Sequence, residues 1–189
     1  KTTNITSEAV TPMIKEKNRI ATLKNNLNVD MDLSVPSGLT LSDFKTVLSN
    51  NLSDKNKIFE QSAEYFYKAE QKYKVNGIFL ASIGIHESAW GTSKIANDKN
   101  NLFGFTAYDS DPYNSATSFD NYENAINKVA EVLSTKYLHV AGTKISDELT
   151  ATGTYFNGTT AKSVNVRYAS DTGWADKVFN YMQYLYNKL

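Results

Sequence analysis

The sequence contains no cysteine, which excludes disulfide bonds, thiol nucleophiles and thiolate metal sites. It also lacks an excess of charge, because 20 Lys and Arg residues balance 20 Asp and Glu residues. Without a basic excess the chain attracts phosphate backbones weakly, so we expect no nucleic-acid partner. No apolar run approaches the roughly 20 residues of a membrane-spanning helix, and we predict no membrane span. Nothing in the sequence implies a cofactor or a metal ion.

The 189 residues, 41% of them hydrophobic, are enough for one substantial core and therefore one catalytic unit, which we expect to be a monomer. Residues 1–56 are polar and rich in Asn, Thr and Ser. We interpret them as an N-terminal extension, which could pack on a catalytic domain formed by residues 57–189. This extension could equally be a lid or a linker, and no motif in it decides between these roles.

Helical spacing of apolar residues predicts helices over residues 57–73, 78–90, 121–137 and the C-terminal stretch. Asp120 and Glu123 fit a capping pattern for the third helix, and Asp171 could cap the last one. Short aromatic runs at Phe103–Tyr108 and Ala116–Phe119, separated by Asp, Asn and Pro, predict a β-hairpin between the helices. The predicted fold is therefore α+β, mainly helical with a small β lobe.

Glu87 is the residue best placed for chemistry. It follows the nearly uninterrupted apolar run of the second predicted helix and precedes the helix end near Trp90 and Gly91. Partial desolvation there would favour the neutral carboxyl, which could protonate the leaving oxygen of a glycosidic bond. The alternative is that Glu87 only ends a helix and faces water. A zinc site is excluded, because Trp90 stands where an HExxH motif needs its second His.

Three strings in the same order resemble one known family. They are HESAWGTSKIA from His86, NNLFGFTAYDSDPYNSA from Asn100, and VNVRYASD from Val164 with Trp174 shortly after it. The resemblance covers roughly residues 53–189 and is to the endo-β-N-acetylglucosaminidase domain of bacterial and phage autolysins, glycoside hydrolase family 73.

This resemblance implies a lysozyme-like fold with a substrate groove between two lobes. It also implies a peptidoglycan hydrolase that cuts the β-1,4 bond between N-acetylglucosamine and N-acetylmuramic acid. The resemblance assigns the catalytic acid to Glu87 and a second important role to Tyr168. We accordingly expect a secreted or wall-associated protein whose signal or anchoring regions lie outside the given sequence.

The second catalytic group is left open by the sequence. An inverting enzyme needs a carboxylate base and a retaining enzyme a carboxylate nucleophile. Candidates lie in or beside the predicted hairpin and are Asp109, Asp111, Asp120 and, less well placed, Glu123. Alternatively the acetamido oxygen of the substrate attacks the anomeric carbon. Tyr168 would then orient the acetamide or stabilise developing positive charge.

Aromatic residues make up 12% of the chain and concentrate in the three motif regions, as a sugar-binding groove requires. Core packing is the alternative role for several of them. The predicted substrate-binding residues are Trp90, Asn101, Phe103, Tyr108, Tyr113, Tyr122 and Trp174. Asn101 would act with Asn100 by shaping the cleft floor through hydrogen bonds, or would simply form a turn.

Two other functions remain compatible with these patterns. An N-acetylmuramidase or lytic transglycosylase of similar fold would cut the neighbouring bond of the same polymer. A glycan-binding module that has lost turnover belongs to a different class. The presence of Glu87 argues against the module, because binding alone has little need for a proton-donating acid.

Overall fold

Helices make up most of the chain in the computed structural model, which describes residues 7–107 and 110–189. In chain order they are α1 (Ser7–Asn26), α2 (Leu41–Leu48), α3 (Ile58–Gln61), α4 (Ala63–Tyr73), α5 (Gly77–Ser88), α6 (Lys94–Lys99), α7 (Pro112–Ser115), α8 (Tyr122–Val132), α9 (Ala161–Tyr168) and α10 (Trp174–Tyr186). A π-helical segment, Leu133–Leu138, continues α8. Strands β1 (Lys144–Ser146) and β2 (Leu149–Thr150) form an antiparallel pair. The prediction of a mainly helical α+β fold is confirmed.

Helix α5 forms the centre of the core and confirms the predicted buried helix. The Asn76 side chain caps it by accepting hydrogen bonds from the backbone N–H groups of Ile78 and Phe79. Every residue of α5 except His86 and Glu87 is buried. Because the helix is apolar around its whole circumference, it packs against α4, α8 and α10 together.

The end of α5 is fixed by local geometry. Ala89, Trp90 and Gly91 take left-handed conformations, with φ values of 49°, 58° and 71°. The Ser88 hydroxyl donates to the carbonyl of Gly84 and accepts from the N–H of Gly91. A side chain at Gly91 would come within 2.9 Å of Ile58, so only glycine fits there. The helix therefore stops one residue after Glu87, which leaves that carboxyl at the molecular surface.

Two predicted helices differ in detail from the observed ones. The helix predicted over residues 57–73 is interrupted at Ser62, which separates α3 from α4. Asp120 does not cap α8, because the Asn121 side chain accepts the capping hydrogen bond, at 2.8 Å from the N–H of Asn124. Likewise Asp171 lies two residues before Gly173, the N-cap of α10. Each predicted cap was misplaced by one or two residues.

The β-hairpin lies elsewhere than predicted. Its strands are residues 144–146 and 149–150, of which only Ile145 is buried. The described part of the 103–119 segment instead consists of loops and the single turn of α7. Its aromatic residues follow loop geometry, since the Asn101 side chain draws the backbone of Phe105 and Thr117 together at one point.

The chain before residue 56 contributes to the same hydrophobic core as the rest. Phe44, Val47 and Leu48 of α2 are fully buried in it, and Leu33 is 1% exposed. Thr40 and Asp43 form a capping box at the start of α2, which the sequence patterns did not indicate. Helix α1 is attached through an ion pair of 2.7 Å between Arg19 and Asp43.

A buried carboxyl, Glu70, joins this N-terminal part to α5. Its Oε2 accepts from the N–H groups of Ser37 and Gly77, at 3.0 and 2.7 Å, and its Oε1 accepts from the Ser37 hydroxyl. Burial raises the pKa of Glu70, and the hydrogen bonds from Ser37 and Gly77 partly oppose this. Leu33 adds a backbone connection by accepting from the N–H of Asn76 and donating to the carbonyl of Thr159.

Within residues 7–107 and 110–189, no helix combines the length and apolar character needed to cross a membrane.

Candidate active site

A cavity of about 730 Å³ opens at the C-terminal end of α5. The end of α5, the 103–107 loop, the π-helical segment, the end of α9 and the start of α10 form its walls. Several of its side chains are aromatic or acidic. They include Glu87, Phe103, Tyr137, Tyr155, Tyr168, Asp171 and Trp174. The cavity thus brings together residues from all three strings that carry the family resemblance.

The carboxyl of Glu87 is held at one oxygen. The indole Nε1 of Trp174 donates a hydrogen bond of 2.9 Å to Glu87 Oε1. Glu87 Oε2 has no hydrogen-bond partner among the residues that the structure describes. The Glu87 side chain is exposed, so the expected desolvation by the apolar helix is wrong for the protein without substrate. The helix buries the residues that precede Glu87 but ends at the cavity mouth.

Trp174 itself is a buried residue, only 1% exposed. Its ring packs edge-on against Phe79 of α5 at 6.0 Å between centroids, and lies 5.0 Å from the ring of Tyr168. Packing on both sides fixes the direction of the indole N–H. Trp174 therefore reaches the cavity mainly through its contact with Glu87 and offers little surface for a sugar to stack on.

Tyr168 is the centre of an aromatic wall. The rings of Trp174, Tyr168, Tyr137 and Tyr155 follow one another with centroid distances of 5.0, 5.4 and 5.1 Å. Burial, reinforced by the negative charge of Glu87, raises the pKa of Tyr168 well above its ordinary value of 10. Its hydroxyl is therefore neutral throughout the physiological range and can act as a hydrogen-bond donor or acceptor.

Asn101 shapes the cavity without lining it. Its Nδ2 donates to the carbonyls of Phe105 and Thr117, and its Oδ1 accepts from the N–H groups of Phe103 and Phe105. These four hydrogen bonds hold the 103–107 loop against the core. Phe103, which is 4% exposed, lies against Gly84, where a side chain would approach its ring to 3.3 Å. A cleft-shaping role for Asn101 would use these hydrogen bonds, and it stays a prediction.

Other residues predicted to bind substrate lie away from the cavity. Trp90 is in the core, with its ring 5.8 Å from Phe59 and 5.9 Å from Tyr184. The hydroxyl of Tyr122 donates to the carbonyl of Ala96.

Tyr113 is partly exposed, and its ring lies 3.9 and 4.7 Å from the ammonium groups of Lys94 and Lys99. Tyr108 lies outside the described residues.

The carboxylates proposed from the sequence as the second catalytic group are not the ones that the described structure places on the cavity. Asp120 and Asp111 are exposed and do not line the cavity, and Asp109 lies outside the described residues. Among the described lining residues the carboxyl groups belong to Glu87 and Asp171. Asp171 pairs with Lys177 at 2.6 Å and accepts from the N–H of Gly173, and these contacts lower its pKa.

The sequence patterns did not single out Tyr137 and Tyr155 as site residues. Tyr137 lies in the π-helical segment, where an i to i+5 hydrogen-bond pattern alters the helical register. Tyr155 lies in an irregular loop, and its backbone N–H donates a hydrogen bond to the carbonyl of Lys136. In the sequence, the adjacent aromatic residues Tyr155 and Phe156 were the signal that could have indicated this part of the site. Both side chains are partly exposed in the structure.

No group of three or more His, Cys, Asp or Glu residues suited to a metal ion occurs in the described parts of the chain.

Residues 63–187 match the family model Glucosaminidase, described as mannosyl-glycoprotein endo-β-N-acetylglucosaminidase. A Streptococcus pneumoniae (TIGR4) protein provisionally named an endo-β-N-acetylglucosaminidase is 34% identical over 158 residues, which are 84% of this chain and 22% of that protein. The β-N-acetylglucosaminidase of Bacillus subtilis (strain 168) is 28% identical over 172 residues, covering 84% of this chain and 18% of that protein. The chain thus spans about a fifth of the length of these curated relatives.

Two crystal structures from S. aureus have a similar fold. Autolysin E is 22% identical with a TM-score of 0.56, and the match covers 90% of this chain and 77% of that one. Glucosaminidase B is 20% identical with a TM-score of 0.58, and the match covers 97% of this chain and 74% of that one. At this level of identity the likeness shows the fold alone, and it confirms the expected lysozyme-like arrangement.

Proposed function

Because the chain belongs to the glucosaminidase family of glycoside hydrolases, we propose that it hydrolyses peptidoglycan at the β-1,4 bond between N-acetylglucosamine and N-acetylmuramic acid. Glu87 acts as the general acid. The observation that carries this proposal is the Glu87 carboxyl, held by Trp174 at the edge of an aromatic-walled cavity.

The chemistry requires a positioned proton donor. A sugar alkoxide is a poor leaving group until its oxygen is protonated, and a well-placed acid accelerates this step by about 100- to 10,000-fold. Trp174 Nε1 can only donate, so Glu87 Oε1 must be an acceptor in the neutral acid. The transferable proton therefore resides on Oε2, the oxygen without a protein partner in the described residues. Trp174 acts as a positioning residue that selects this oxygen.

The charge that develops at the anomeric carbon needs a second group. Asp171 is the other described carboxyl on the cavity, and its contacts with Lys177 and Gly173 favour the ionised form. Alternatively the substrate acetamide attacks, with the neutral Tyr168 hydroxyl orienting it. Asp111 and Asp120, which do not line the cavity, remain candidates only if loop movement brings them to bound substrate, and Asp109, outside the described residues, stays a candidate. Both routes use the same acid and differ in what stabilises the positive charge that develops at the anomeric carbon.

The aromatic wall suits a glycan substrate. Sugar rings present C–H faces that pack on aromatic surfaces, while their hydroxyl and acetamide groups seek polar partners. The rings of Tyr168, Tyr137 and Tyr155 follow one another along the cavity wall and could hold sugars on one side of the scissile bond. A catalytic mutant of S. aureus autolysin E has been crystallised with the disaccharide NAG-NAM, and autolysin E itself with the muropeptide NAM-L-Ala-D-iGlu. By analogy, peptidoglycan strands are the proposed partner and the cell wall is the proposed site of action.

A digest of purified peptidoglycan tests the proposal. The parent chain, Glu87→Gln and the control Glu148→Gln would each be incubated with the polymer. Glu148 is a matched control because it is exposed and lies at the turn between β1 and β2, away from the cavity. Borohydride reduction and mass spectrometry of the products then identify the new ends.

New N-acetylglucosaminitol ends from the parent and from Glu148→Gln, reduced at least about 100-fold in Glu87→Gln, would support the assignment. Muramitol or anhydromuramic ends would keep the acid and move the cut to the neighbouring bond. Binding without new ends from any of the three proteins would indicate a glycan-binding module.

A further inference from the structure

A second cavity, of about 380 Å³, adjoins the first one. The two share Ala169 and Ser170, which form the ridge between them. The far side of this ridge is built by one face of α9 and by the first turn of α10. Lys162 and Val166 come from α9, and Asp176 comes from α10.

The floor of this second cavity is fixed. Asn165, which is 8% exposed, accepts from the N–H of Ala175 through Oδ1 and donates to the carbonyl of Asp171 through Nδ2. These hydrogen bonds tie α9 to the start of α10. Because the amide is occupied in this way, Asn165 supports the cavity and is unsuited to bind a ligand.

The rim of the cavity carries two opposite charges that the protein itself does not neutralise. Within the described residues, neither Lys162 nor Asp176 forms an ion pair, whereas the adjacent Lys177 and Asp171 pair with each other at 2.6 Å. Val166, which lines the same cavity, is 62% exposed. An ammonium, a carboxylate and an apolar side chain facing one small cavity are complementary to a short peptide that bears both charges.

We propose that this second cavity binds the peptide stem of peptidoglycan while the glycan strand occupies the first cavity. The inference rests on the proposed function. The stem is attached to the lactyl group of the muramic acid sugar, next to the bond that is cut, so it can cross the ridge at Ala169 and Ser170. Lys162 binds the free α-carboxylate of the D-isoglutamyl residue, and Asp176 binds the ammonium of the diamino acid that follows it. Val166 contacts the alkyl part of the stem.

The proposed stem site predicts that substrates with charged stems are cut faster than stem-free glycan, a preference that a site binding glycan alone would lack. Exposed charge pairs contribute modestly, so each contact should raise kcat/KM by roughly twofold to fivefold. The net charge of the chain is zero, so overall attraction to an anionic polymer does not obscure this local effect.

The experiment pairs variants with substrates. The parent, Lys162→Ala and Asp176→Ala would be assayed on glycan oligomers that differ in two features of the stem. The second residue of the stem is either free isoglutamate or isoglutamine. The stem either ends at that residue or continues to the diamino acid. Stem-free glycan, made with an amidase, gives the baseline. Lys55→Ala and Asp147→Ala are controls, since both residues are exposed, form no ion pair in the described part of the chain and lie outside both cavities.

We expect the parent to cut glycan with free isoglutamate stems faster than glycan with isoglutamine stems. Lys162→Ala should lose this preference and keep the preference for the diamino acid. Asp176→Ala should lose only the preference for the diamino acid, and all variants should cut stem-free glycan at the rate of the parent. Equal rates of the parent on all stems, or preferences that survive both substitutions, would overturn the stem site. Absence of cleavage by the parent on every substrate would instead refute the proposed function.

Discussion

Trp174 Nε1 and Glu87 Oε1 are 2.9 Å apart, although 87 residues separate them in the chain. The hydrogen bond joins the first turn of α10 to the last turn of α5, the two helices that pack most directly against each other at the cavity. A buried donor thereby fixes the orientation of an exposed acid.

Replacing Trp174 by Phe keeps an aromatic ring but removes the N–H donor. We expect kcat to fall roughly 10- to 100-fold because the acid loses its orientation, with KM little changed since Trp174 is 1% exposed. NMR gives an independent test, because the chain has two Trp residues and so two indole N–H signals. Glu87→Ala, which removes the acceptor, should shift the signal of Trp174 and leave that of Trp90 in place. An unmoved Trp174 signal would rule out the hydrogen bond.

Single Asp→Asn substitutions at positions 109, 111, 120 and 171 distinguish the two catalytic routes. If Asp171 serves as the carboxylate base, its variant should lose more than about tenfold in kcat while the others remain near the parent. If no variant loses that much, participation of the substrate acetamide is the better account. The measurement is the initial rate of release of reducing ends, with circular dichroism to verify that each variant is folded.

Tyr168 should remain protonated at alkaline pH while other tyrosines ionise, because burial and the charge of Glu87 raise its pKa far above 10. In the folded protein, the tyrosinate absorbance gained between about pH 9 and 11 should therefore be the same for the parent and for Tyr168→Phe. A smaller gain in the variant would mean that Tyr168 titrates normally. Hydrolysis by the variant should also fall if the Tyr168 hydroxyl orients the substrate acetamide, as proposed above.

Glu70 links stability to pH. Its pKa in the folded protein is raised above the ordinary value of 4.5, so the folded state binds this proton more tightly than the unfolded state does. The resulting stabilisation is complete below pH 4.5 and is lost as the pH rises through the raised pKa. The Tm of Glu70→Gln minus that of the parent should therefore increase with pH over this window. A constant difference would mean that Glu70 has a normal pKa.

Truncation tests the boundary proposed at residue 56. Deleting residues 1–26 removes α1, whose residues 11–26 are mainly exposed, and should lower stability only slightly. Deleting residues 1–56 also removes Leu33, Phe44, Val47 and Leu48 from the core. Each such side chain contributes about 1.5 to 3 kcal/mol, so the loss is comparable to the whole stability of a domain. Thermal unfolding of both fragments is the measurement, and a stable, active 57–189 fragment would establish the boundary.

The sequence was sufficient to predict the features that depend on local pattern. The apolar run of α5 predicted a buried helix, and the Trp90-Gly91 pair predicted its end beside Glu87. The hairpin was misplaced because its strands contain one buried residue, Ile145, which gives almost no alternating signal. Phe103 and Phe105 gave a stronger but misleading aromatic signal, since they lie in a loop held by Asn101.

Contacts between distant segments could not be predicted in this way. Nothing in the pattern around Trp174 indicates that its indole reaches Glu87, because that contact depends on how α10 crosses α5. The site role of Tyr137 was missed for a related reason. Its spacing fits the apolar stripe of α8, but the switch to a π-helical segment redirects the side chain into the cavity wall.

The cavity is assembled from the end of α5 and from several separate segments, and this division has an evolutionary consequence. Residues around Glu87 are constrained by left-handed backbone and by close packing at Gly91, so few substitutions there are tolerated. Tyr155 and Asp171 line the same cavity from segments outside the helix, are exposed and do not adopt left-handed backbone. If Glu87 is the acid, as proposed, natural variants can therefore diverge at such wall positions while inheriting an unchanged acid, and laboratory selection for new polymer preferences should concentrate its diversity there.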